Sequence, residues 1–181
     1  MTDQKRVYNF AAGPSTLPLE VLKTAQEQML NYKGSGMSVM EMSHRSSAYQ
    51  EIFDETKATL KRLLKIPDNY KILLLHGGAT QQFSALALNL MQTGKADYIV
   101  TGSFSGKAAK EAAKFGDVHI AYDGKENNYT HIPTQDELDI REGVDYVHLC
   151  ENNTIYGTEW NYVPDTKGAP LVADMSSDRK S

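Results

Sequence analysis

The chain has 181 residues, of which 40% are hydrophobic and 23% charged, the make-up of a globular domain with one sizeable core. A formal net charge of -4 and the lack of a local basic patch argue against nucleic acid or an anionic membrane surface and for a small metabolite as partner. The single cysteine, Cys150, excludes an intrachain disulfide, and no segment approaches the roughly 18 apolar residues of a membrane span, so the cytoplasm is the expected compartment.

In chain order, "NFAAGPSTLP" reads as a loop whose Ser15 or Thr16 caps a following helix over "PLEVLKTAQEQMLNY", with Pro18 in its first turn and a stop near Gly34. "KGSGMSVMEMSHRS" has two glycines and no sustained period, so it reads as a loop. In "SAYQEIFDETKATLKRLLKI", Phe53, Leu60 and Leu64 fall near one helical face beside Ile52 and Leu63, which predicts a second helix. From Tyr70 the pattern changes. "YKILLLHGG" predicts a strand, "ATQQFSALALNLM" a helix and "ADYIVTGS" another strand, a β-α-β unit. It continues with a helix in "SGKAAKEAAKFG", a strand in "DVHIAYD", a short helix in "TQDELDI" and strands in "DYVHLC" and "APLVADM". This alternation predicts an α/β fold with a mostly parallel sheet and helices on both faces, which binds ligands at the carboxyl ends of its strands.

The stretches just past the strands are "HGGATQQ", "TGSFSGK", "ENNTIYGT" and "ADMSSD". Gly77 and Gly78 permit a tight turn, after which Ala79, Thr80 and Gln81 present free amides at a helix N-terminus. That is either an anion seat or an ordinary strand-to-helix turn, since "GGAT" has no Walker lysine. Phe104 stands in a polar Ser/Gly loop, where its ring either stacks on a flat ligand or plugs the end of the sheet. Asn152 and Asn153 read as plain turn residues beside Thr154. Asp174 ends the apolar run "PLVAD", so its carboxylate needs a cationic or hydrogen-bonding partner, from a ligand, an internal ion pair or a helix cap. Cys150, inside "DYVHLC", reads as buried and inert. His44, His76, His119, His131 and His148 are scattered without ligand spacing, so no metal site is expected.

Taken together, "NFAAGPSTLP", "GMSVMEMSHRS", "LLLHGGATQQF", "TGSFSGKA", "ENNTIYGTEW" and "LVADMSSD" resemble, in that order, the motifs of the phosphoserine aminotransferase family. These are fold-type I enzymes dependent on pyridoxal 5'-phosphate. The resemblance runs from about Tyr8 to Asp178 and covers the family's N-terminal half. It implies an aspartate aminotransferase-like large domain, here truncated, with residues 1–17 as N-terminal arm and substrate loop and 18–181 as the cofactor-binding part, without the C-terminal small domain. It implies that Ala79 and Thr80 hold the cofactor phosphate, Phe104 stacks on the pyridine ring, Thr154 sits beside the ring's 3'-oxygen and Asp174 pairs with the ring nitrogen. The family usually has tryptophan where Phe104 stands; phenylalanine keeps the π face and loses the indole N–H. Arg45 and His44 match the family's anion-binding pair for substrate, and Ser15 lies near the substrate end.

The implied activity is amino transfer from L-glutamate to 3-phosphohydroxypyruvate, giving O-phospho-L-serine and 2-oxoglutarate, in serine and in some bacteria pyridoxal phosphate synthesis, by a homodimer. Transamination also needs a Schiff-base lysine, which the family supplies from an "AGAQKN"-like segment beyond the aspartate. None is found here. Lys180 is the only lysine after Asp174 and stands in a polar tail, so the chain is expected to lack its catalytic residue and to be inactive alone. Two other readings stay open: a non-catalytic fragment that binds the cofactor or pairs with a full-length subunit, and another fold-type I aminotransferase.

Overall fold

Among residues 6–11 and 13–177, which the computed structural model describes, the chain divides into two units, 1–73 and 74–181. The cut falls elsewhere than the arm boundary read from the sequence between residues 17 and 18. Lys180 lies outside the described residues.

The first unit holds helices α1 (Leu19–Glu27) and α2 (Ser47–Leu63). Pro18 occupies the N-cap of α1, and no side chain caps it. Thr16 instead donates its hydroxyl to the Asn9 carbonyl at 3.1 Å, so neither expected cap forms. The helix stops at Glu27, well before Gly34, and Asn31 then turns its side chain on the backbone, accepting the Gly36 N–H at 2.8 Å around a 3₁₀ turn over Tyr32–Gly34. In "GMSVMEMSHRS" a reciprocal capping box forms: Glu41 accepts the Ser38 N–H at 2.8 Å and the Ser38 hydroxyl accepts from Met40. Ser46 caps α2 by accepting from Tyr49 N–H at 3.3 Å. Neither helix carries a buried residue.

The second unit is built on a four-stranded sheet of β1 (Lys95–Val100), β2 (Asp117–Asp123), β3 (Tyr146–Cys150) and β6 (Leu171–Asp174). The order is β2-β1-β3-β6 and every pair is parallel, the α/β arrangement that the alternation predicts. Helices α3 (Gly78–Leu90) and α4 (Ser103–Ala112) contribute Phe83, Ala87, Ala108 and Ala112 to a core with Ala96, Tyr98, Val100 and Tyr146. Alternate residues Ile99, Val147 and Leu149 point to the other face, where Ile140, Val144 and Trp160 cover them from irregular segments. The short helix expected in "TQDELDI" is a single 3₁₀ turn, Gln135–Glu137. A register shift between Tyr98 and Ile99 leaves Ala121 of β2 as an extra residue, a bulge.

Two features of this core are polar. Tyr98 and Tyr146 share a hydroxyl–hydroxyl bond of 2.7 Å, and burial pushes both phenols up. Asp97, fully buried, accepts from the Arg141 backbone N–H at 2.6 Å and its Nε at 2.8 Å, while Arg141 Nη1 reaches Asp117 at 2.7 Å and holds that carboxyl below the usual carboxylate range. The predicted strand over "YKILLL" does not form. A strand persists only when its amides find a ladder, and these residues have none among those described; Leu73 and Leu75 are 72% and 67% exposed.

Candidate active site

The sheet order places β1 and β3 side by side, while the chain leaves β1 for β2 on one edge and returns to β3 on the other side. This is a switch point, and a crevice opens beyond the carboxyl ends of the two strands. Short polar contacts fix the segment that leaves each strand there. The Ser105 hydroxyl, buried, accepts from the backbone N–H groups of Thr101 and Gly102 at 3.0 Å each, and this starts α4. Phe104 therefore stands in the first turn of a helix, not in the loop expected for it, and is 40% exposed with Lys107 Nζ 5.2 Å from its ring centre.

After β3 the chain forms a two-residue antiparallel ladder, β4 (Asn152–Asn153) with β5 (Thr158–Glu159). Asn153 is thus no plain turn residue. It is 3% exposed, donates to Thr101 at 3.2 Å and to Thr158 at 3.0 Å, and ties the loop after β1 to the loop after β3. Gly102 is needed beneath it, since a Cβ there would come within 2.6 Å of the Asn153 amide oxygen. The tip of this ladder carries Thr154, exposed and hydrogen-bonded to the Ser177 hydroxyl.

Asp174 ends β6 opposite Cys150. Its Oδ1 accepts from Ser176 N–H at 3.1 Å and Ser176 Oγ at 2.6 Å, and its Oδ2 from the Cys150 thiol at 3.4 Å. Burial, and then the neighbouring carboxylate, push the Cys150 thiol up, so it stays protonated and donates. No cation pairs with Asp174 among the described residues. The carboxylate is held by neutral donors.

The fourth contribution comes from α3. Gly77, at φ 99°, turns the chain in the left-handed region, and α3 begins at Gly78 with no side-chain cap, so its first amides have no partner within the helix. Ala79, Phe104, Thr154 and Asp174 line one cavity of about 220 Å³, together with Asn152, Ile155, Ser176 and Ser177. Thr80 follows Ala79 on the same exposed turn and does not line it. Ser15, His44 and Arg45 belong to the first unit and are exposed. Asn153, Ser105 and His148 are the residues that sequence reasoning missed. No spacing signal separates Asn153 from Asn152, and only the ladder register tells which of them points inward.

This fold and site define a class. The chain matches the aminotransferase class-V family over residues 7–180 and belongs to it. Within that class, it is 52% identical over 174 residues to a phosphoserine aminotransferase of Bacillus cereus, covering 96% of this chain and 48% of that protein. It is 54% identical to that of Drosophila melanogaster, covering 94% and 47%. A phosphoserine aminotransferase structure concerned with radiation damage of its Schiff base superposes with a TM-score of 0.90 at 47% identity, over 97% of this chain and 49% of that one. The pyridoxal phosphate-bound enzyme of Trichomonas vaginalis superposes at 0.86 and 38% identity, over 94% and 48%. The resemblance read from the six motifs is borne out, and the chain spans about half the length of the curated relatives it matches.

Proposed function

We propose that this chain forms the cofactor cradle of a phosphoserine aminotransferase and binds pyridoxal 5'-phosphate in the cavity beside Asp174. The observation that carries the reading is the convergence of Ala79, Phe104, Thr154 and Asp174, from four separate chain segments, on one small cavity. The donor chemistry fits the group. Uncapped amides at Ala79 and Thr80 suit a phosphate, with roughly 0.3–1 kcal/mol from the helix terminus alone. The exposed face of Phe104 suits an aromatic ring, the Thr154 hydroxyl suits a ring oxygen, and a carboxylate without a cation suits a pyridinium N–H.

When bound, the cofactor would supply the electron sink that amino transfer needs. Asp174 keeps the ring nitrogen protonated through a charge-assisted hydrogen bond, worth about 1.5–3 kcal/mol net. Cys150 and Ser176 orient that carboxylate, and Asn153 keeps the segments bearing Phe104 and Thr154 together. Arg45, with His44 and Ser15 near the substrate end, would take the substrate's carboxylate or phosphate, for which a guanidinium fork is suited. The whole enzyme would be a cytoplasmic homodimer that moves the amino group of glutamate to 3-phosphohydroxypyruvate, in serine synthesis and in some organisms pyridoxal phosphate synthesis. The arm, 1–17, would serve substrate, and 18–181 the cofactor.

Among the described residues, no lysine lines the cavities at Asp174. The 181-residue chain is therefore expected to bind the cofactor reversibly without turnover. Equilibrium dialysis against pyridoxal 5'-phosphate tests this: saturable binding should weaken at least tenfold in Asp174→Ala and in Phe104→Ala. Equal binding by wild type and Asp174→Ala would overturn the assignment. A phosphopyridoxyl group found on Lys180 after borohydride reduction would overturn the expected inactivity.

A further inference from the structure

Beside β2, the outer strand of the sheet, a groove of about 620 Å³ lies between that strand and α4. The register sets Val118 and Ile120 of β2 next to Ala96 and Tyr98, on the face that α4 covers. α4 meets them with Gly106, Ala109 and Ala113, which are too small to fill the space, so a slot with an apolar floor remains and Ile120 is 39% exposed in it. None of the residues lining this groove lines either cavity at Asp174.

The groove is cationic. Lys107 and Lys110 line it from adjacent positions on one face of α4, and Lys125 joins them from the 3₁₀ turn Gly124–Asn127 that follows β2. None of these three makes an ion pair among the described residues, whereas Lys23, Lys33, Lys61 and Lys114 each meet a carboxylate. The single carboxylate lining the groove, Asp123, accepts the Lys125 backbone N–H at 3.0 Å. Three ammonium groups against one carboxylate, on a chain of net charge -4, concentrate positive potential in a cleft whose apolar walls focus it. No basic run marks this place in the sequence, because Lys125 reaches the two helix lysines only through the fold.

We propose that this groove is a second binding site, separate from the cavity at Asp174, for a small phosphomonoester carried on an apolar body. Sites for small molecules are typically concave, mostly apolar, roughly 300–1,000 Å³ in volume and furnished with a few placed polar groups. A phosphate supplies the charge and the acceptor oxygens that the ammonium groups of Lys107, Lys110 and Lys125 lack. The apolar body covers Val118 and Ile120, and the Asp123 carboxylate accepts from a hydroxyl or amine on it. A protein partner fits less well, since a stable interface takes roughly 800 Å² from each side, well beyond one groove of this size. The site does not depend on the cofactor reading of Asp174.

The test uses the full chain in equilibrium dialysis at low salt, with adenosine 5'-monophosphate as probe and adenosine and inorganic phosphate as its two halves. The whole probe should bind saturably and about tenfold more tightly than either half. The double variant Lys110→Met, Lys125→Met keeps both aliphatic stems at exposed positions and should weaken binding about tenfold, with pyridoxal 5'-phosphate binding unchanged. Ala113→Leu, which fills part of the floor, should weaken the probe and not inorganic phosphate. Equal affinity in the double variant and wild type, or no binding of the probe at all, overturns the site. Inorganic phosphate binding as tightly as the whole probe overturns the apolar half of the proposal, and binding of a polyglutamate peptide in place of the probe overturns it in favour of a protein partner. Asp174→Ala should leave probe binding as it is; a loss there would put the probe in the other cavity and overturn the separate site. A chain that binds the probe and no pyridoxal 5'-phosphate overturns the cofactor reading alone.

Discussion

Replacing Asn153 by alanine should loosen the whole crevice, and its magnitude can be worked from the contacts. The amide binds two hydroxyls, Thr101 at 3.2 Å and Thr158 at 3.0 Å, and Thr101 is fully buried. Each lost bond costs about 1 kcal/mol net, and the stranded Thr101 hydroxyl adds about 1 kcal/mol more, for a sum of about 3 kcal/mol. Trp160, the chain's single tryptophan, is 6% exposed in the core of the same unit, so its fluorescence reports the unfolding of that unit. With a urea slope of about 2 kcal/mol/M, the midpoint should fall by about 1.5 M. Thr158→Val removes one bond and strands one buried Asn153 N–H, about 2 kcal/mol in all, and should shift it by about 1 M. If Asn153→Ala shifts the midpoint no further than Thr158→Val does, the bridge between the two loops is not what holds them.

Other parts of the second unit give further expected outcomes. Arg141→Ala takes the guanidinium from the buried Asp97 carboxylate, which keeps only the backbone N–H of residue 141, and should cost about 3 kcal/mol, the low end for a broken buried pair because of that remaining donor and because Arg141 is 30% exposed; the same urea titration reads it. Gly77→Ala forces a side chain into φ 99° and against Gln81, so about 1–2 kcal/mol of stability should be lost and cofactor binding by dialysis should weaken in parallel. Because the folded chain holds His148 neutral down to about pH 4 while an unfolded histidine protonates near 6.5, stability should fall as pH drops through that window. Urea midpoints at pH 7 and pH 5 should differ less in His148→Phe than in wild type.

What the sequence determined by itself is what depends on near neighbours along the chain. Apolar runs and helical periods place β1, β2, β3, β6, α3 and α4 nearly where they stand, and the glycines at 77 and 78 mark the turn into α3. The motif order then points to the right family before any coordinates are known. Local signals fail where distant residues compete. An apolar run at 70–75 looks like a strand, yet strand structure belongs to a pair of segments, and no ladder partner is described for it. Asn153 looks like a turn residue until β4 pairs with β5 and turns it inward. Only the register of β3 against β6 brings Cys150 to Asp174 and sets His148 on the same face, and only the switch point of the sheet gathers Ala79, Phe104, Thr154 and Asp174 around one cavity. The physical reason is the range of the interactions: helix periods and turns are set within a few residues, whereas strand register and buried hydrogen bonds join groups dozens of residues apart and exist only once the sheet is assembled.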